Sequence, residues 1–419
     1  MSPTLAIRGG PPLRRRPFVS WPIATDSDRI RLERVLVSDV WGGEGPLARQ
    51  FERQFALRHQ CIDGVALTNG TTSLLLSLRA IGVKPGDEVI LPALTWVGTA
   101  TSIIEANAVP VVVDVDPRTY CIDPNAVRAA ITPRTVAIVA VHLYSCMADM
   151  DVLRAIADIH SLALIEDCAH AHGAAFRGRS AGSIGTLGCF SFQNSKPMTA
   201  GEGGIVVGQD KTLLERVYFQ RHGGRYGPDL GQPILAGNHR LTEWQAAILL
   251  GQLEQLDRRA EHREKAIRRL RDKLATLSGI GMLAEQSQVT KRPMHRLSFH
   301  YDERRTGIPL WAFIDAVRAE GVPIEPTYRP VYTHPSWYEG ITEAVAMHGR
   351  NTPEHRCPVA NRVACESGFT LPHRVLLGTD DDIDDVAAAF DKVWSHPNEA
   401  ANLKQEAKAF ANVLLNKPA

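Results

Sequence analysis

Between residues 64 and 209, short apolar runs return at intervals that leave room for a helix in most gaps. They cover residues 64–69, 88–93, 109–116, 135–143, 162–167, 187–192 and 204–207. Val, Ile and Leu occupy both alternations of these runs, the pattern of strands covered on both faces. Helical segments are expected at 72–81, 100–106, 124–131 and 150–160. The alternation predicts an α/β domain built on a mostly parallel sheet, with ligand-binding residues gathered at the carboxyl ends of its strands.

Past about residue 240 the rhythm changes. Residues 243–277 read as one long amphipathic helix, with Ala246, Leu249, Leu250, Leu253 and Leu256 on a common stripe. Its densely charged later half, 258–273, is expected to be a solvated face. Residues 290–395 suggest a smaller α+β unit, with strands at 297–301 and 368–371 and helices at 308–320 and 379–394. The expected division is a large domain over 20–260, whose N-terminal segment can pack with the small domain, a small domain over 261–395, and a tail over 396–419. Residues 1–19 carry no readable pattern.

Lys plus Arg (47) nearly balances Asp plus Glu (46), so no overall field draws nucleic acid or an anionic membrane to the chain. The seven cysteines show no paired metal-ligand spacing, which suggests free thiols in a reducing compartment. Arg14-Arg15-Arg16 is followed by a run too short and too broken by proline for an export signal. No apolar run has the length of a membrane span. A cytoplasmic enzyme is expected.

Chemistry concentrates at the ends of the expected strands. Lys196 lies between an apolar run and a glycine-rich turn, in Ser191-Phe-Gln-Asn-Ser-Lys196-Pro-Met-Thr-Ala-Gly-Glu-Gly-Gly204, without an acidic residue within five positions. A partly desolvated amine among hydroxyls and amides can lose its proton and attack a carbonyl; a plain loop lysine is the alternative. Asn69-Gly70-Thr71-Thr72 opens a helix expected to begin near Thr72, which makes either an anion site or a simple cap by Thr71 or Thr72. Trp96 either belongs to the core or offers a flat face to a ring. Asp114 and Asp116 are expected to cap a turn, and His142 can be a satisfied core histidine. In Ile165-Glu166-Asp167-Cys-Ala-His170-Ala-His172, an apolar strand runs into adjacent acids, and a buried carboxylate there needs a cationic or hydrogen-bonding partner. A metal site of Asp167, His170 and His172 is the rival reading. Gly237-Asn238-His-Arg-Leu-Thr242-Glu-Trp-Gln-Ala-Ala starts the long helix with a polar run dense for a cap.

Taken together over residues 20–395, these motifs resemble the DegT/DnrJ/EryC1/StrS family of aminotransferases that use pyridoxal 5′-phosphate (PLP). The resemblance implies the fold-type I, aspartate aminotransferase-like architecture. It also implies that Lys196 forms the Schiff base with PLP and carries the substrate proton, and that Asp167 pairs with the pyridine nitrogen. Trp96 then stacks on the ring, and His170 stands near the phenolic oxygen, where many relatives have Gln. Gly70, Thr71, Thr72 and Ser191 form the phosphate site. Asn238 reaches the phosphate of a neighbouring subunit, which implies a homodimer with shared active sites. The lysine segment, Ser20-Trp21-Pro22, Asp39-Val-Trp41-Gly-Gly43 and Tyr328-Arg329-Pro-Val-Tyr-Thr-His334 are most similar to the cyclitol (scyllo-inosose) aminotransferase and aminohydroxybenzoate synthase branch, although proline directly after the lysine departs from that pattern. Tyr328, Arg329 and His334 are the substrate candidates.

The expected reaction moves an amino group from L-glutamine or L-glutamate to a keto-cyclitol. Three alternatives remain at this point. A nucleotide-sugar aminotransferase can use Arg221, Arg225 and Arg329 for a diphosphate. A dehydrating, aromatising synthase can use the same lysine. A PLP-binding regulator without turnover is the last.

Overall fold

The computed structural model describes residues 4–224, 236–335, 337–347 and 356–401. Seven strands form the central sheet: β1 Asp63–Leu67, β2 Glu88–Pro92, β3 Val109–Val113, β4 Thr135–Val141, β5 Ala163–Asp167, β6 Leu187–Ser191 and β7 Gly204–Gly208. Their order across the sheet is β1-β7-β6-β5-β4-β2-β3. The pairs from β6 through to β3 are parallel, and β7 runs antiparallel to both β6 and β1. Six carboxyl ends therefore meet at one edge, where β7 begins; Gly204 pairs with both Leu67 and Ser191. Val89, Ile90, Leu91 and 137–140 are fully buried, as strands covered on both faces require.

Helix Gly70–Ala80 is started by Asn69, whose side chain accepts from Thr72 N at 2.8 Å. Val97–Glu105 and Met150–His160 also lie where the sequence placed helices, while Asp26–Leu36, Pro46–Arg58 and Lys211–Arg221 were not anticipated. The long helix Glu243–Leu274 opens on a capping box between Thr242 and Gln245. At 1.5 Å per residue it is about 48 Å long, enough to serve two cores. Its first half packs Ala246, Leu249, Leu250 and Leu256 against the large core, and its second half gives Ala266, Ile267, Leu270 and Leu274 to another. The expected boundary at 260 falls inside this helix.

The second core lies on an antiparallel sheet of Ile280–Met282, Arg296–Tyr301, Gly368–Pro372 and Glu325–Pro326, in that order, with helices Leu310–Ala319 and Asp380–Trp394. The N-terminal arm, unreadable in sequence, belongs to it. Leu5 and Phe18 are core residues, and Arg14 pairs with Asp382 at 2.8 Å and Asp385 at 2.6 Å. Val331, Tyr332, Trp337, Ile341, Cys357, Ala360 and Val363 instead pack into the large core.

Two sequence expectations need correction. The charged half of the long helix is not wholly solvated: Arg259 and Arg263 turn inward. Arg259 reaches Gln252 Oε1 (2.6 Å) and Ile23 O (3.1 Å), and Arg263 reaches His373 Nδ1 (3.0 Å). The rival metal reading of Asp167, His170 and His172 finds no support in the geometry, since their ligand atoms are not among those that cluster within ligating distance. Among the described residues, metal-like clustering occurs at His142, Glu166 and Cys168. There Glu166 already accepts four hydrogen bonds, and His142 turns an N–H toward it. No described helix is long and apolar enough to cross a membrane. Arg225 and most of the tail lie outside the described residues.

Candidate active site

The candidate site gathers at the carboxyl edge of the sheet, where several strand ends each supply one part. After β1, Asn69 turns the chain into its helix, whose first N–H groups, on Gly70 and Thr71, have no intrahelical acceptor. A Cβ on Gly70 would stand 2.6 Å from Ser191 Cβ, so only glycine lets this helix start close over the end of β6. A Cβ on Gly98 would meet Thr71 Oγ1 at 2.7 Å. The result is a concave turn of free N–H groups and the hydroxyls of Thr71, Thr72 and Ser191, the composition of an anion cradle.

After β2, Trp96 begins helix Val97–Glu105 and remains 58% exposed, so it is not a core residue. Its ring lies 6.1 Å from that of Tyr328. At the end of β5, buried Asp167 accepts from Thr99 Oγ1 at 2.9 Å and from Ala169 N at 3.2 Å. Burial holds its carboxyl above the ordinary range, against those two bonds and the charge of Lys196.

Lys196 is only 8% exposed. Among the described residues, Nζ makes no hydrogen bond or ion pair. Burial lowers its pKa to about 8, Asp167 opposes that shift, and Arg296 adds to it. The amine and Asp167 thus feel each other's charge without forming a contact pair, and near neutrality an appreciable fraction of the amine is unprotonated.

His170 accepts Tyr144 N–H at Nδ1 (3.1 Å), which leaves its Nε2 as the proton-bearing nitrogen. Burial first, then Lys196, pushes it well below the usual imidazole range, so it is neutral. Tyr144 holds φ = +56°, a conformation costing a bulky residue about 1–2 kcal/mol. It is pinned there by this bond and by Tyr328 N donating to its hydroxyl at 2.6 Å. His172 donates from Nε2 to Ser191 O at 2.9 Å, leaving Nδ1 buried without a partner.

The remaining wall comes from distant sequence. Pro330 bridges to Leu94, and Val331 N donates to Ala93 O at 2.9 Å, so the loop carrying Tyr328, Arg329 and His334 is fastened to the end of β2. The Tyr328 ring lies among those of Trp96, Tyr144 and His170. Arg329 lies near Cys365, and His334 closes the following 3₁₀ turn. Arg296, whose charge acts on Lys196, is ion-paired with Glu325. His295 stacks on His170 at 3.9 Å between ring centres. Sequence reading missed Tyr144, His295 and Arg296; none lies in a recognisable motif. Asn238 is exposed, on a segment that pairs with the end of β1 through Leu67 and Arg240.

The DegT/DnrJ/EryC1/StrS aminotransferase family model matches residues 23–391. An L-glutamine:2-deoxy-scyllo-inosose aminotransferase of Streptoalloteichus tenebrarius is 40% identical, over 94% of this chain and 98% of that protein. Among solved structures, 3-amino-5-hydroxybenzoic acid synthase superposes with a TM-score of 0.81 at 33% identity, covering 91% of this chain and 99% of the other. DesI, crystallised in the presence of its TDP-sugar product, gives 0.83 at 30% identity, covering 97% and 99%.

Proposed function

The chain belongs to the DegT/DnrJ/EryC1/StrS aminotransferase family, and we propose that it transfers the amino group of L-glutamine to a keto-cyclitol of the inosose type, using PLP. The observation that carries this reading is Lys196: a buried amine of lowered pKa, without a bonding partner among the described residues, opposite a buried carboxylate at a strand end. The residues present fit the cofactor. The Gly70–Thr71–Ser191 cradle suits its phosphate, Asp167 suits a protonated ring nitrogen, and exposed Trp96 offers a ring face. When bound, PLP supplies an electron sink for the carbon that exchanges its amino group.

The chain's own groups do the rest. Lys196 would hold PLP through its Nζ; once the donor's amine takes its place and frees it, the unprotonated Nζ would take the α-proton of the donor and return a proton to the product. Asp167, bonded to Thr99 and Ala169, keeps its charge aimed at the ring nitrogen. His170 offers its Nε2–H to the phenolic oxygen. Tyr328 closes the pocket over the substrate, with Arg329 and His334 on the same loop. Asn238 acts across a homodimer, which the exposed apolar group Ile30, Leu36, Val37, Val40 and Trp41 supports.

Absorbance titration of the PLP-loaded protein with L-glutamine, L-glutamate and L-alanine tests the first half-reaction. L-glutamine is expected to discharge the cofactor band without an acceptor. With 2-deoxy-scyllo-inosose added, the product mass should be that of an amine replacing a ketone. Loss of water instead would identify a dehydrating synthase. The fit to DesI favours a keto-sugar acceptor as the second reading; thermal stabilisation by a nucleotide diphospho-sugar but not by inosose would select it.

A further inference from the structure

The loop that delivers Lys196 is gripped from outside its own sheet. Trp21 Nε1 donates to Asn194 O at 3.0 Å, and His373 Nε2 meets Ser195 O at 3.1 Å. Ser195 Oγ lies 3.2 Å from His295 Nε2 and donates to Gln193 Oε1 at 2.7 Å. These partners fix both histidine tautomers. A carbonyl only accepts, so His373 carries its hydrogen on Nε2 and receives Arg263 Nη2 at Nδ1. The Ser195 hydroxyl is committed to Gln193, so His295 also donates from Nε2, leaving its Nδ1 buried and unpartnered. Both rings are held well below the usual imidazole range by burial, so both stay neutral.

Behind His373 stands Arg263, fully buried, with Nε and Nη1 lacking partners and its guanidinium 5.8 Å from the Trp21 ring. It keeps His373 in the donating tautomer. Trp21 belongs to the N-terminal arm and Arg263 to the long helix, while His295 and His373 flank paired strands of the second sheet. On the other side of the lysine, Pro197 has no N–H with which to tie the following peptide. The grip therefore acts on the two residues before Lys196.

We propose that His373 and Trp21 are positioning residues for Lys196: by holding the Ser195 and Asn194 carbonyls, they let the second core and the N-terminal arm set where the amine stands. This rests on Lys196 being the lysine that binds PLP.

The test uses the full chain as His373→Leu, which removes the donor, His373→Gln, which keeps a side-chain N–H for Ser195 O, and Trp21→Phe, which keeps the ring and removes only its N–H. Two quantities are read: the rate at which lysine–cofactor absorbance develops when cofactor-free protein meets PLP, and the pH midpoint of that absorbance. His373→Leu and Trp21→Phe should each slow the rate about five- to tenfold, the size expected for one lost hydrogen bond, and shift the midpoint, while His373→Gln stays within about twofold of the parent. Parent-like rate and midpoint in both donor-less variants would overturn the proposal. So would equal losses in His373→Gln and His373→Leu, which mark a merely structural ring. If His373→Leu does not fold, Trp21→Phe decides. A parent chain that gains no lysine–cofactor absorbance overturns the functional reading itself, an outcome distinct from the others.

Discussion

Neighbouring acids at the end of β5 point to opposite faces of the sheet and meet opposite conditions. Glu166 is fully buried and accepts from Gly182 N at 3.0 Å, Ile184 N at 2.7 Å, Gly185 N at 2.6 Å and His142 Nε2 at 3.0 Å. Its partners outweigh burial and hold its pKa below the ordinary value. Asp167 is nearly as buried but has two partners, and burial wins. On one face a charge is spent on folding, tying the 182–185 turn to the sheet. On the other it is left short of partners beside an amine in the same condition. Under-satisfied charge lies on the face proposed to bind the cofactor.

The sharpest way to break this comparison is Lys196→Ala, which should lower turnover by about 10⁴-fold or more while leaving the fold intact, checked by single-turnover kinetics and a melting curve. Asp167→Asn comes next. It should cost about 10²- to 10³-fold in kcat without lowering the melting temperature, since the native carboxyl is itself destabilised by burial. An unchanged rate would remove Asp167 from its role.

Glu166→Gln tests the opposite face. An amide would turn its N–H₂ toward backbone donors, so about 3 kcal/mol of stability should be lost in urea unfolding, with kcat of the folded fraction nearly unchanged. Because the folded pKa of Glu166 lies below its unfolded value of about 4.3, its stabilisation is present above that value and is lost as pH falls through the folded pKa.

The smallest effect sharpens the comparison. Lys196→Met should stabilise the cofactor-free protein by about 1–3 kcal/mol at pH 7. The folded pKa of about 8 lies below the unfolded value near 10.4, so the native amine costs stability at low pH and that cost vanishes as pH rises from 8 to 10.4. A gain that persisted above pH 10.4 would point to packing instead of charge.

Much of the sheet was legible because it is written in local grammar. Apolar runs with both faces hydrophobic gave all seven strands to within a few residues, and Thr242 announced its helix through a short polar cap. Helix Gly70–Ala80, by contrast, is capped by Asn69 and not by Thr71 or Thr72, its start two residues earlier than the sequence suggested. The strand-end residues were legible for the same reason, since each sits within a few positions of a strand. Arg263 was not: in sequence it belongs to a charged helical run, and only the N-terminal arm folding across the helix turns it inward against Trp21. Leu5 and Phe18 show no period because single anchors in an extended arm need none.

The sequence by itself determined the α/β order, the strand ends and the place of Lys196 among them, because these follow from periodicity and from residues adjacent in the chain. The tertiary structure alone decided what surrounds that lysine. Tyr144, His295, Arg296, Tyr328 and His373 come from segments far apart in the chain, and their burial, which sets protonation and tautomer, exists only once two cores have closed against each other.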